Sequence, residues 1–311
     1  MTASADRHSL ESAEVAVLMR RATYAAIGVQ GLLVCLKLAA WMSTDSVSML
    51  SALLDSLLDT TAAAVNLLAI RQALAPADRE HRFGHGKIEP LASLGQAAFI
   101  AGSAVILMIE ALHHLLHPMA VNNTSLGLGV MVFAIVATFT LLQYERYVVR
   151  RTGSLLVSGD ALHNAGDLAL NLAVIVSLGL TAELGWQVID PLFGGGIALW
   201  ILYSAYHVAQ KSIVQLMDRE LPDEARARIR QIALAQAGVR AVHDLKTREA
   251  GPTAFIQIHL EMDGAMTLMQ SHGIADAVEA EILKSFPRAE IIVHQDPVGV
   301  EEKRLVFPAA G

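Results

Sequence analysis

Two pairs of ionisable residues sit where ionisable residues are expensive. Asp55 and Asp59 lie in one apolar run, residues 47–72, and His163 and Asp167 lie in another, residues 157–181. Each pair is spaced i, i+4, which puts both side chains on one helix face a turn apart. An ionisable group in mid-membrane costs roughly 2.5–3.5 kcal/mol on insertion scales and marks a functional site by default. Two such faces opposed offer three carboxylates and one imidazole around a point. That donor set suits a borderline divalent ion in tetrahedral geometry, Zn²⁺ first, whereas an all-oxygen set would suit magnesium, calcium or manganese. Buried bases could instead neutralise the acids, but Lys37 is the only lysine within a span. Its place near the outer end of the first run lets it snorkel to the surface. Asp160, one turn before His163, reads as close to the inner membrane surface and outside the site. Glu110 reads as interfacial, and Asn66 and Asn171 as interhelical contacts.

Other clusters are polar and less constrained. Asp78, His81 and His85 fall within one connection at spacings of three and four, which one helical turn would gather, although Gly84 loosens the backbone there. Taken alone, histidines in a polar loop are solvated more often than they bind metal. His113, His114 and His117 end the third apolar run and read as interfacial. Nearer the C-terminus stand His243, His259, His272, His294 and Asp296. His294 and Asp296 are two apart in a strand-like segment and share a face. Ile256, Ile258, Leu260 and Met262 take the buried face of another strand, leaving His259 on its polar face.

Composition sets the frame for these groups. Of 311 residues 54% are hydrophobic and 17% charged, with a mean hydropathy of +0.46; soluble domains carry about a quarter charged residues, so the chain reads as a membrane protein. Six runs long enough to span a bilayer occur at about 19–43, 47–72, 88–116, 125–147, 157–181 and 188–211. Arg20 and Arg21, then Arg71, Arg79, Arg82 and Lys87, then Arg146, Arg150 and Arg151, and last Lys211 cluster at one side. The connections Thr44–Ser46, Pro118–Ser125 and Thr181–Gln187 hold no lysine or arginine. The positive-inside rule therefore predicts both termini in the cytoplasm. Trp41 and Trp186 at outer ends, and Tyr144 and Tyr147 at an inner end, match interfacial aromatic belts. The polar first residues lack a signal-peptide core, so the first run is expected to remain as a helix.

Past Asp218 the period changes. Helices are predicted at Pro222–Ala237 and Met266–Phe286, and strands at Val239–Arg248, Thr253–Met262 and Ala289–Asp296, with a turn at Gly251-Pro252. The predicted fold is an all-α six-helix membrane domain plus a small cytoplasmic α+β domain, in the order α-β-β-α-β, of ferredoxin-like or metallochaperone-like kind. Its divisions are a cytoplasmic N-terminal segment (1–18), the transmembrane domain (19–211), the cytoplasmic domain (212–300) and a tail (301–311). A net charge of −7 argues against nucleic-acid binding. Cys35 is the single cysteine, which excludes an intrachain disulfide and a thiolate cluster.

With Asp55-x-x-x-Asp59 and His163-x-x-x-Asp167 on its second and fifth runs, the sequence resembles the cation diffusion facilitator family, and within it the YiiP-type bacterial zinc exporters. The likeness runs from about Arg20 to Pro297 and is carried by SVSMLSALLD (46–55), FGHGK (83–87), LMDRELPD (216–223), FIQIHLEM (255–262) and HQDP (294–297). The resemblance implies a homodimer in the bacterial inner membrane and a transport site of Asp55, Asp59, His163 and Asp167. It implies a loop metal site at Asp78, His81 and His85. It further implies a two-metal cytoplasmic site of His243, His259, His272, His294 and Asp296 at the dimer contact, with Asp296 bridging and Gln295 a weak or outer-shell ligand. A charge interlock of Lys87 with Asp218 and a hydrophobic gate at Leu162 complete the implied set.

The function expected from this is efflux of a divalent cation, Zn²⁺ first, then Cd²⁺ and Fe²⁺, in exchange for protons by alternating access. A membrane metal sensor or metalloenzyme without transport is the alternative. An intramembrane enzyme would need an open metal position and a general base; no His-Glu-x-x-His occurs, and four ionisable ligands look closed.

Overall fold

The computed structural model describes residues 2–44, 47–116, 125–184 and 189–300. Six long helices come first: α1 (Thr2–Thr44), α2 (Val47–Ala73), α3 (Ile88–Leu116), α4 (Ser125–Thr152), α5 (Leu155–Leu184) and α6 (Ile189–Leu216). Then follow α7 (Asp223–Ala235), β1 (Ala241–Ala250), β2 (Thr253–Met262), α8 (Leu268–Ser285) and β3 (Ala289–Pro297). The chain divides into two compact units, one holding α1 to α6 in the main and the other α7 to β3.

Among the described residues, four helical stretches are long and apolar enough to cross a membrane: Glu14–Ser43, Ile88–His113, Val132–Thr152 and Pro191–Leu216. The other two long helices, α2 and α5, are those that carry Asp55, Asp59, Asp160, His163 and Asp167. α1 begins at Thr2, because no glycine or proline precedes Gly28 to break it. α6 runs on to Leu216, and the two units divide after Met217. Asp218 then takes a left-handed φ of 56°, a conformation Asp tolerates better than most residues. Trp186, His117 and the tail 301–311 lie outside the described residues, as does the side chain of His114.

Side-chain packing ties the helices that carry the acids to their neighbours. Met19 of α1, Ile70 of α2, Val148 of α4, and Leu156 and Val157 of α5 form one fully buried cluster. Ile100 and Ala104 of α3 meet Ile201 and Ala205 of α6, with Leu162 of α5 against them. The turn from α4 to α5 is chemically specified. Gly153 takes a φ of +70°, open to glycine without strain, and the Ser154 hydroxyl accepts the Val157 N–H as an N-cap. That turn fixes where α5 starts, and so the height of His163.

In the second unit the sheet order is β1-β2-β3, with β2 and β3 parallel and α8 as the crossover. Ile256, Ile258, Leu260 and Met262 are buried against Ile229, Ile232 and Ala233 of α7 and Val278 and Ile282 of α8. Thr267 caps α8 through a capping box with Gln270. The parallel register sets His259 opposite His294 and Glu261 opposite Asp296. The strand alternation that buries the isoleucines thus gathers the histidines on the other face.

Candidate metal centres

α2 and α5 bring Asp59, His163 and Asp167 together. Nε2 of His163 lies 2.9 Å from Oδ1 of Asp59 and 3.6 Å from Oδ2 of Asp167. One ligand atom from each residue falls within 4.8 Å of the others. Donors at 2.0–2.1 Å from a tetrahedral metal stand roughly 3.3 Å apart, so these spacings fit an ion of zinc size. Asp55 is not drawn into the cluster; its side chain is exposed, one turn along α2.

Lys37 does not behave as an interfacial residue. Its ammonium donates to Ser56 of α2 at 2.6 Å, and Asp59, Asp167 and Asp55 are the acids that act on it electrostatically. The sequence signal, a lysine alone in an apolar run, was available but pointed equally well to snorkelling. Asp160 is buried and held by side-chain amides, receiving N–H from Asn66 and, at 2.7 Å, from Gln96. Both donate to Oδ1, and an oxygen that accepts two N–H groups is poorly placed to hold a cation as well. Asn66 is therefore a partner of Asp160. Glu145, buried in α4, escaped notice in the sequence although it is an acid in an apolar run; it meets Asn164 of α5. Leu162 packs on α3 and α6, beside His163.

The loop cluster forms, but without the helical turn that its spacing suggested. Asp78 to Lys87 is a series of turns. Asp78 Oδ1 accepts the backbone N–H groups of Glu80 and His81, and Gly84, at a φ of +75°, closes a turn on the His81 carbonyl. His81 Nδ1 and His85 Nε2 each stand 3.3 Å from the Asp78 carboxylate. The His81 and Glu80 amides hold the Asp78 carboxyl below the usual carboxylate range. His85 is buried, and its Nδ1 lacks a hydrogen bond. Lys87 donates to the carbonyl of Leu216, and Asp218 lies 3.4 Å from Arg248.

In the second unit Asp296 is the hub. Its Oδ2 is 2.9 Å from His259 Nδ1 and 3.1 Å from His243 Nε2, and its Oδ1 is 3.0 Å from His294 Nε2. His243 lies within ion-pair distance of Asp296 and, through Nδ1, of Glu261, yet neither ring nitrogen is aligned to hydrogen-bond. A nearly buried imidazole with both nitrogens unmet beside two carboxylates fits a divalent ion held by His243, His259 and Asp296. His272 is not gathered; it is exposed on α8, 3.5 Å from Asp276 one turn on. Gln295 takes the opposite face of β3 from His294 and Asp296, next to Leu260 in register. Its side chain does not join the cluster. His113, at the end of α3, is exposed.

The family model for the cation efflux transmembrane domain matches residues 23–217, and the one for the cation efflux protein cytoplasmic domain matches 221–298. The chain belongs to the cation diffusion facilitators, the cation efflux family. The transporter is 47% identical over 283 residues to the cation-efflux pump FieF of Klebsiella pneumoniae subsp. pneumoniae and equally to that of Citrobacter koseri, covering 91% of this chain and 94% of each relative. Among solved structures, CzrB in its Zn form shares 34% identity over 28% of this chain and 99% of that one, at a TM-score of 0.25. The MamM CTD shares 28% over 24% and 95%, at 0.24. The transporter is thus a membrane protein of cation efflux, and divalent metals are the ligands that its three clusters of His and Asp fit.

Proposed function

We propose that this transporter exports Zn²⁺, and with it Cd²⁺ and Fe²⁺, from the cytoplasm in exchange for protons. The observation that carries the reading is the Asp59–His163–Asp167 cluster on two facing helices. One nitrogen among carboxylates favours zinc over the harder ions. Asp55, one turn away on the same face of α2, completes the set as a fourth ligand. It acts as a carrier and not as an enzyme.

Ligating imidazole must be neutral and ligating carboxylates ionised, so binding of the ion releases protons and protonation releases the ion. The ion enters from the cytoplasm and displaces protons. The helices rock about the site, protons from outside displace the ion, and the protonated site returns. Leu162 beside His163 closes the cytoplasmic route. The protein spans a bacterial inner membrane six times, with both termini inside, and works as a homodimer. In the cytoplasmic domain His243, His259, His294 and Asp296 hold metal, and metal there draws two protomers together. The loop site at Asp78, His81 and His85 lies where ions arrive.

Zinc uptake into inverted vesicles tests the reading. An acidic interior should speed accumulation, and collapse of the gradient should slow it. Equal rates with and without a gradient would exclude obligatory exchange.

A further inference from the structure

The transport cluster depends on how α5 is rotated about its own axis. A turn of one residue, 100° on an α-helix, would carry His163 and Asp167 away from Asp59. Close apolar packing resists such rotation because interdigitated side chains must repack, but it does not single out one polar register. Hydrogen bonds between buried polar side chains resist it strongly, because rotation strands each partner without water.

α5 carries two such groups, Asp160 and Asn164, themselves four residues apart on one face. Asp160 is held by Asn66 of α2 and Gln96 of α3. Gly159 makes room for that contact: a Cβ there would stand 2.3 Å from the Gln96 amide oxygen. Asn164 is held by α4 and α1. Its Nδ2 donates to both oxygens of Glu145, at 3.0 and 2.9 Å, while its Oδ1 accepts from Nε2 of Gln30 at 3.2 Å. Glu145, Asn164 and Gln30 are 1%, 3% and 5% exposed, so none has water to fall back on. Asn164 follows His163 directly in the chain, and any displacement of its backbone is passed to the histidine.

We propose that Glu145 and Asn164 are positioning residues for transport: their hydrogen bond, extended by Gln30, sets the rotation of α5 at which His163 faces Asp59 and so governs affinity for the transported ion. Neither touches the ion. The inference rests on Asp59, His163 and Asp167 being the transport ligands. Groups that orient metal ligands change affinity by about 10- to 100-fold when removed, and the lower end suits a contact that acts through the backbone.

The test is zinc uptake by the full-length protein in liposomes, with half-saturating concentration and maximal rate resolved, and zinc measured against manganese. Glu145→Leu and Asn164→Leu should each raise the half-saturating zinc concentration about tenfold, and the double variant should do no worse than either. Glu145→Gln keeps an acceptor for Asn164 and should stay within about twofold of wild type. The zinc-to-manganese ratio should fall in the leucine variants. Multiplied losses in the double variant would show that the two do not act together and would overturn the proposal. A loss in Glu145→Gln as deep as in Glu145→Leu would assign the effect to charge, and would overturn it too. If the leucine variants do not purify folded, Gln30→Ala trims only the outer end of the network. It should give a twofold to threefold rise (about 0.4–0.7 kcal/mol), and no change there sinks the idea. Asp59→Ala run alongside separates the two readings: normal uptake by that variant refutes the ligand assignment itself, whatever the Glu145 series shows.

Discussion

Replacing Asp296 with Ala is the sharpest perturbation of the cytoplasmic cluster, because its carboxylate is the one group that His243, His259 and His294 all approach, at 2.9 to 3.1 Å. Without it the three imidazoles lose the carboxylate they share, and Glu261, which reaches only His243, does not replace it. Outer-shell groups are worth about 10- to 100-fold in metal affinity, so a shared ligand is worth at least the upper figure. At zinc 100 times above the wild-type Kd, binding stabilises the folded domain by about 2.7 kcal/mol; a 100-fold weaker site gains only about 0.4 kcal/mol at the same zinc. For a domain of this size 1 kcal/mol moves the melting temperature by about 4–8 °C. The zinc-induced shift should therefore shrink from about 11–22 °C to about 2–3 °C. The assay is thermal unfolding of residues 218–300, which carry their own core, with and without zinc. Gln295→Ala is the internal control, since Gln295 faces the other side of β3 and should keep the full shift. A full shift in Asp296→Ala, or an equal loss in Gln295→Ala, would refute the reasoning.

Asp59→Ala, His163→Ala and Asp167→Ala should each cut liposomal zinc uptake at least 100-fold while the protein still inserts, because these groups cost insertion energy. Asp55→Ala should do the same; normal flux there would leave only three protein ligands. His163→Asp removes the one nitrogen donor, and competitive uptake should move from zinc toward manganese; an unchanged ratio would assign selectivity to cavity size. The Asp78 carboxyl is held below its ordinary range, so the turn stability it adds is complete above that range and lost only as pH falls through the depressed value. Hydrogen exchange at the Glu80 and His81 amides should therefore stay protected through the usual aspartate titration, and loss of protection at mildly acidic pH would contradict the turn.

Much of this arrangement was legible because strong periodicities carried it. Asp59, His163 and Asp167 are an i, i+4 pattern in apolar runs, and membrane cost leaves few reasons for such a pattern. Ile256 to Met262 alternate so cleanly that the face of His259 followed at once. The contacts that escaped are those between side chains whose own helices say nothing about them. Glu145, Gln30 and Asn164 come from three helices, and only packing makes them neighbours. Lys37 could reach either the surface or Ser56, and helix arrangement decides which. At Asp78 to His85 the spacing was right and the reason was not. Backbone N–H groups bonded to Asp78, and a left-handed Gly84, gather those side chains without a helix. His272 lies on α8 instead of the strands, and no single-chain pattern brings it to the others.

Lys37 has one more consequence, which concerns valence. Were Asp55, Asp59 and Asp167 all ionised, with the Lys37 ammonium near them, the neighbourhood would carry two negative charges in excess. A divalent cation balances that excess. A monovalent cation leaves part of it, and a trivalent one overshoots. Inside a membrane any residual charge carries a steep solvation penalty, whatever its sign. The donor atoms can sort zinc from manganese, but they cannot by themselves sort two charges from one or three. A single ammonium on a neighbouring helix would supply that second criterion without ever touching the ion.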